Sequence, residues 1–259
     1  MGVDWLGSSI LRLLYALLLL AASLPVRADI ADTIVRVRPS VVMVGVYDRL
    51  GSPQFSSRGT GFAVGDGHQI ATNAHVIEGL TATDSTALVV YVDGPQPEQR
   101  IRQARVSAVD PAHDIALLAI SGPALPALAL ADSGMVRAGL SVGFMGFPLG
   151  NFLGFTPVTH RAMVSAVTPI VLPTANARQL NATVIRSLKS GSFDIFQLDG
   201  TAYPGNSGGP LFDVDTGEVI GIVNMVLVKR TKEAAISSPS GISYAIPVNH
   251  LRELLSGKR

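Results

Sequence analysis

The chain contains no cysteine. Disulfides, thiolate metal sites and a lipid-modified cysteine are therefore excluded, and the fold must be held by packing alone. Charge is scarce as well: Asp, Glu, Lys and Arg make up 15% of the 259 residues and sum to a formal +1. A near-neutral chain gives no electrostatic reason to expect a nucleic acid or an anionic membrane surface as partner. Aromatic residues are only 6%, whereas Gly and Pro number 26 and 16. That balance suits a turn-rich β protein better than a helical one. The length allows one two-barrel domain or two small domains with a large core.

One long apolar run stands out, LLYALLLLAASLPV between Arg12 and Arg27. It falls short of the roughly 20 apolar residues that a membrane span needs. Val26 and Ala28 are the small or apolar residues that an export signal peptidase prefers. Residues 1–28 are therefore read as a cleaved signal peptide, with an uncleaved membrane anchor as the alternative. Either sends residues 29–259 out of the cytoplasm, to the periplasm or beyond, and only the anchor makes a membrane a partner.

The rest of the chain is organised around YPGNSGGP, Tyr203 to Pro210. Gly and Pro on both sides of Ser207 forbid helix interior and make a tight, backbone-led loop. A serine hydroxyl is a weak nucleophile. It needs a base to take its proton and backbone N–H groups aimed at the oxyanion that forms on attack. In GNSGG the N–H groups of Gly205 and Ser207 are those expected to form that hole. Upstream, ATNAHVI carries His75, and AHDIALLAI carries Asp114. His, Asp and Ser in that chain order match the order of the chymotrypsin-type triad. The histidine takes the serine proton, and a carboxylate fixes the imidazole tautomer and stabilises the imidazolium.

Around these residues the pattern is β. A short amphipathic helix is expected over Ile30–Val37, then a strand over Val41–Tyr47 rich in β-branched residues. A Gly-Asp-Gly turn at 65–67 joins two strands, the second leading to His75. Further strands are expected near 87–94, 100–110 and 139–148, a hairpin turns at Asp215 to Gly217, and a helix with one apolar face spans Val248–Leu255. The reading is all-β: two antiparallel barrels with the active site between them. His68 is placed in a turn, His160 in a loop and His250 in the last helix, with no functional role. His113 competes with Asp114 by adjacency, but neighbouring side chains on a strand face opposite ways.

ATNAHVI, HDIALL, QLDGTAYPGNSGGPL, EVIGIVN and ISYAIP resemble the core of the trypsin-like serine proteases of the HtrA/Deg family, from about Ile30 to Leu255. The resemblance implies two six-stranded barrels, the first over about 38–122 and the second over about 136–247. It implies His75 as general base, Asp114 as orienting carboxylate, Ser207 as nucleophile and polypeptide substrates, with no metal and no organic cofactor. Members are often homotrimers, and the segment Asp29 to Pro39 is a candidate to mediate one. Asn206 stands where digestive relatives carry an aspartate that pairs with a newly cut N-terminus, so activity is expected to be set by loop ordering. The chain stops at Arg259, directly after the closing helix, so no PDZ domain is expected. The segment Pro173 to Phe196 is longer than the family norm. Thr201 falls near the base of the primary pocket, with Ala202 beside it and Ile222, Val223 and Asn224 on the opposing strand. No carboxylate is there to hold Arg or Lys, so a small or medium aliphatic residue is expected before the cut bond. The function expected is hydrolysis of unfolded or damaged proteins; a protease-fold binding module with little turnover is the alternative.

Overall fold

A computed structural model of the chain describes residues 29–80, 83–93, 100–150, 154–169, 193–224 and 241–257. Residues 1–28, expected to be a signal peptide, and most of the long segment 173–196 lie outside the described residues. No helix among the described residues is long and apolar enough to cross a membrane.

The first barrel comprises β1 (Val41–Asp48), β2 (Phe55–Val64), β3 (Gln69–Thr72), β4 (Thr86–Val92), β5 (Ile101–Asp110) and β6 (Ile115–Ile120). The second comprises β7 (Ser141–Gly146), β8 (Val158–Pro169), β9 (Asp194–Leu198), β10 (Pro210–Asp213), β11 (Val219–Asn224) and β12 (Ser243–Pro247). Both barrels are closed, with neighbours in the order β1-β2-β3-β6-β5-β4 and β7-β8-β9-β12-β11-β10. The second order is the first displaced by six strands, so the halves share one topology although no repeat is visible in the sequence. The two six-stranded antiparallel barrels are those that the resemblance implied.

Three short α-helices lie among the described residues, α1 (Ile30–Val37), the single turn α2 (Ala74–Ile77) and α3 (Asn249–Leu255), with 3-10 turns at Arg38–Ser40 and Ser133–Met135. Asp29 caps α1 by accepting the Ala31 N–H at 3.0 Å, satisfying one of the donors that every helix start leaves open. His160 was expected in a loop and is instead in β8, paired with Phe144 across the ladder to β7. The strand begins earlier than its sequence suggests because the polar His160 takes a half-buried position against Phe144 and Met163 and Val167 are exposed, which blurs the apolar alternation.

The strands that face the other barrel bury both sides. On β1, Val42 and Val44 pack inside the first barrel with Val90 and Leu118. Val41 and Met43 pack instead against Met145, Phe147 and Phe212 of the second barrel. This explains why β1 opens with an unbroken apolar run where a half-solvated strand would alternate. A second joint sets Phe62, Ile115 and Leu117 against Val219, Ile222 and Ile246, with Leu251 of α3 closing over them. Each fully buried side chain of this kind contributes about 1.5–3 kcal/mol. The candidate site lies across this joint, with groups from both barrels.

Candidate active site

β3 ends at Thr72, and Asn73, extended at φ −80° and ψ 149°, turns the chain into α2. That single turn is held from outside by Asp114. The Asp114 carbonyl accepts the Ala74 N–H at 3.1 Å and the Asn73 Nδ2 at 2.9 Å. Its carboxylate Oδ1 accepts the His75 backbone N–H at 2.8 Å, and Oδ2 lies 2.6 Å from His75 Nδ1. An ionised carboxylate can only accept, so this contact keeps the ring proton on Nδ1 and leaves Nε2 as the basic nitrogen.

Asp114 itself has φ 53°, a left-handed conformation that Asp tolerates better than most residues. The preceding turn is built on Asp110. Its Oδ1 accepts the N–H groups of Ala112 and His113 at 3.1 and 3.3 Å, and its Oδ2 faces His113 Nδ1 at 2.7 Å. The His113 ring stacks on His250 of α3, centroids 3.7 Å apart, with Phe193 edge-on to both. His113, the sequence competitor for a catalytic role, is engaged in fixing the turn that carries Asp114. The three-residue spacing of Asp110 and His113 is the only trace of this pair in the sequence. His250, expected in the last helix with no functional role, is the other half of the stack.

Two tight turns place Ser207. The Asn206 N–H donates to the Tyr203 carbonyl at 2.9 Å, and the Gly209 N–H donates to the Asn206 carbonyl at 3.0 Å. Gly205 and Gly208 have φ 104° and 87°, values that only glycine adopts readily. A methyl on Gly205 would collide with the Phe147 carbonyl oxygen, and one on Gly208 with the Thr60 carbonyl oxygen and the Thr72 hydroxyl. The loop is thus packed backbone to backbone against the strand end that leads to His75. Ser207 is 5% exposed, and its carbonyl accepts the Thr60 N–H of β2 at 2.8 Å. The Gly205 N–H makes no hydrogen bond among the described residues, which leaves it available to a developing oxyanion.

The residues expected to line the primary pocket divide into two sets. Ala202 and Val223 share the core of the second barrel, and Val223 joins the nucleophile loop through its backbone, accepting the Gly208 N–H and donating to Gly209, both at 2.9 Å. The 200–202 segment is fixed by Ser243, whose hydroxyl donates to the Gly200 carbonyl and accepts the Ala202 N–H, both at 2.7 Å. Thr201 lies between these anchors, half-buried. The side chain of Ile222 instead packs in the joint between barrels. Ile222 and Val223 are both fully enclosed, and both backbone groups of Val223 are taken up by the serine loop. Asn224 donates from Nδ2 to Asp114 Oδ2 at 2.7 Å, an assignment to the carboxylate that sequence reasoning missed by placing it in the pocket. Its position just past the apolar run of β11 was the only signal.

The architecture is the trypsin-like one, with a histidine and a carboxylate from the first barrel and a glycine-flanked serine from the second. Residues 59–222 match the family described as Trypsin-like peptidase domain, and the chain belongs to that family, among its HtrA-type members. It is 35% identical over 233 residues to "Serine protease HTRA2, mitochondrial" of Bos taurus, covering 87% of this chain and 42% of that protein. It is 31% identical over 198 residues to "Probable periplasmic serine endoprotease DegP-like" of Halomonas elongata, covering 76% of this chain and 34% of that protein. The chain thus spans less than half the length of these curated relatives. Among solved structures, the "HtrA-type protease AlgW with decapeptide" superimposes with a TM-score of 0.61 at 24% identity, covering 88% of this chain and 67% of that one. This last likeness is one of fold.

Proposed function

We propose that the chain is a serine endopeptidase that hydrolyses unfolded or damaged polypeptides outside the cytoplasm. The observation that carries the reading is the 2.6 Å contact of His75 Nδ1 with Asp114 Oδ2, made across the joint from a serine held in a glycine-turned loop. In the first step Ser207 Oγ attacks the scissile carbonyl carbon, and its proton passes to His75 Nε2. The carbonyl oxygen takes up the negative charge and is met by the N–H groups of Gly205 and Ser207. Asp114 stabilises the imidazolium without itself taking the proton. His75 then gives its proton to the leaving amine, and the C–N bond breaks. Water enters, loses a proton to His75 and releases the acyl group by the reverse of the same steps.

The pocket residues Thr201 and Ala202 carry no charge, which favours a small or medium aliphatic side chain before the cut bond. The periplasmic designation of the DegP-like relative and the apolar leader support export.

Hydrolysis of casein by the chain from Asp29, beside its Ser207→Ala variant, tests the reading. Cleavage by the first and none by the second is expected, with loss of covalent labelling by a serine-directed phosphonate in the variant. Proteolysis that persists in Ser207→Ala would remove Ser207 from the mechanism. An intact chain that neither cleaves nor labels would instead be a binding module of protease fold.

A further inference from the structure

We infer that Thr60 is a positioning residue for the oxyanion hole: from the first barrel, its hydroxyl fixes the peptide plane that follows Gly205, and with the preceding plane held at Leu149 this sets the conformation of the residue that presents the Gly205 N–H. The inference rests on the endopeptidase reading above.

Thr60 is fully buried on β2. Its backbone is fixed on both sides, the N–H donating to the Ser207 carbonyl at 2.8 Å and the carbonyl accepting the Thr72 hydroxyl at 2.7 Å. The Thr60 hydroxyl donates to the Gly205 carbonyl at 2.6 Å and accepts the Phe147 N–H at 3.0 Å. These roles are forced, because a carbonyl only accepts and an amide N–H only donates. One hydroxyl therefore ties the nucleophile loop to the end of β7, and both to the first barrel.

Gly205 lacks a side chain to hold it, so its conformation depends on the two peptide planes that flank it. The plane before it is held by the Leu149 N–H, which donates to the Pro204 carbonyl at 2.6 Å. In a trans peptide the N–H lies opposite the carbonyl, so the Gly205 N–H is directed away from the Leu149 turn. The plane after it is held by Thr60. The neighbouring side chain gives no help, because Asn206 is fully buried and neither of its amide atoms has a hydrogen-bond partner among the described residues. At the position where digestive relatives anchor this loop by an ion pair, the anchor here is a hydroxyl from the opposite barrel. There is no slack around it, since a methyl on Gly146 would come within 2.8 Å of Thr60 Oγ1.

The test compares the full-length chain with Thr60→Val and Thr60→Ser, by casein hydrolysis and by hydrogen-exchange mass spectrometry of residues 203–209. Valine keeps the shape but leaves the Gly205 carbonyl and the Phe147 N–H without the hydroxyl that serves both. The valine chain should lose kcat by roughly a hundredfold, the scale of losing one oxyanion donor. KM should stay unchanged and exchange should quicken at Asn206, Gly208 and Gly209, whose N–H groups are bonded in the seated loop, and Thr60→Ser should restore both quantities. Unchanged kcat and exchange in Thr60→Val would overturn the inference, and so would a loss that Thr60→Ser does not restore. Should the valine chain fail to fold, Thr60→Ala carries the same comparison. Exchange is read without turnover. A parent chain that cleaves nothing, while exchange still quickens in the valine variant, would therefore sink the endopeptidase reading and leave the Thr60 anchor standing.

Discussion

Asn224 donates its Nδ2 hydrogen, at 2.7 Å, to the Asp114 oxygen that also faces His75 Nδ1 at 2.6 Å. The amide comes from the second barrel and the carboxylate from the first, so the group that orients the base is itself oriented across the joint. With Oδ1 bound to the His75 backbone N–H, both carboxylate oxygens are engaged and the carboxylate plane has little freedom.

Replacing Asn224 by Ala should therefore act through Asp114. A hydrogen bond to a charged group is worth about 1.5–3 kcal/mol, which corresponds to a loss of kcat of roughly tenfold to a hundredfold. Steady-state hydrolysis should show that loss at unchanged KM. A raised KM at unchanged kcat would return Asn224 to the substrate pocket.

Asp114→Asn should lower kcat by about four powers of ten, because an amide can turn a donor toward His75 and favour the wrong tautomer. Asn tolerates the left-handed conformation that Asp114 holds at φ 53°, so circular dichroism and the melting temperature should stay near those of the parent.

The Asp110 side chain is fully buried and accepts two backbone N–H groups besides facing His113. Asp110→Ala leaves those donors without their acceptor and should lower stability by about 2–4 kcal/mol, read from urea denaturation. Activity should fall below what the folded fraction accounts for, since the same turn holds Asp114. His250→Ala, which removes the ring contacts with His113 and Phe193, should cost about 1–3 kcal/mol, the scale of two such pairs.

Burial against Phe144 holds the His160 imidazole below its ordinary value, and its Nε2 has no hydrogen-bond partner among the described residues. The unfolded chain titrates this group near 6.5. Between the folded and unfolded values the unfolded chain binds more protons, so stability rises with pH there. The contribution is fully present above the unfolded value and is lost as pH falls toward the folded one. Thermal melts at about pH 5 and about pH 8 should differ less in His160→Phe than in the parent. An equal difference would mean that His160 is already charged in the fold.

Much of this molecule could be read from its residues. The GNSGG loop declared itself because the turns it makes demand glycine, and the helix over Ile30–Val37 did so through its amphipathic pattern. Less legible were features that depend on pairs distant in sequence. Thr60 looks like any β-branched strand residue until Gly205, 145 positions away, presents a carbonyl to it. Asn224 is 110 positions from the carboxylate it binds, so no local pattern connects them. His160 was misplaced because a polar ring at a half-buried strand position breaks the apolar alternation, and the Phe144 ring that accepts it there lies on another strand. The twofold repetition of topology was hidden for a related reason: closing a barrel constrains which strands pair, and many unrelated apolar patterns satisfy that constraint.

The amide of Asn206, without a hydrogen-bond partner among the described residues, bears on time rather than on geometry. An ion pair made by a freshly cut chain end is made once, because the peptide bond that was spent is not restored. Asn206 has no charge to take part in such an event. If the loop is seated instead by the Thr60 hydroxyl and a few amides, seating is an equilibrium between two populations. Each molecule can then pass in and out of readiness many times, and carries no record of having been active.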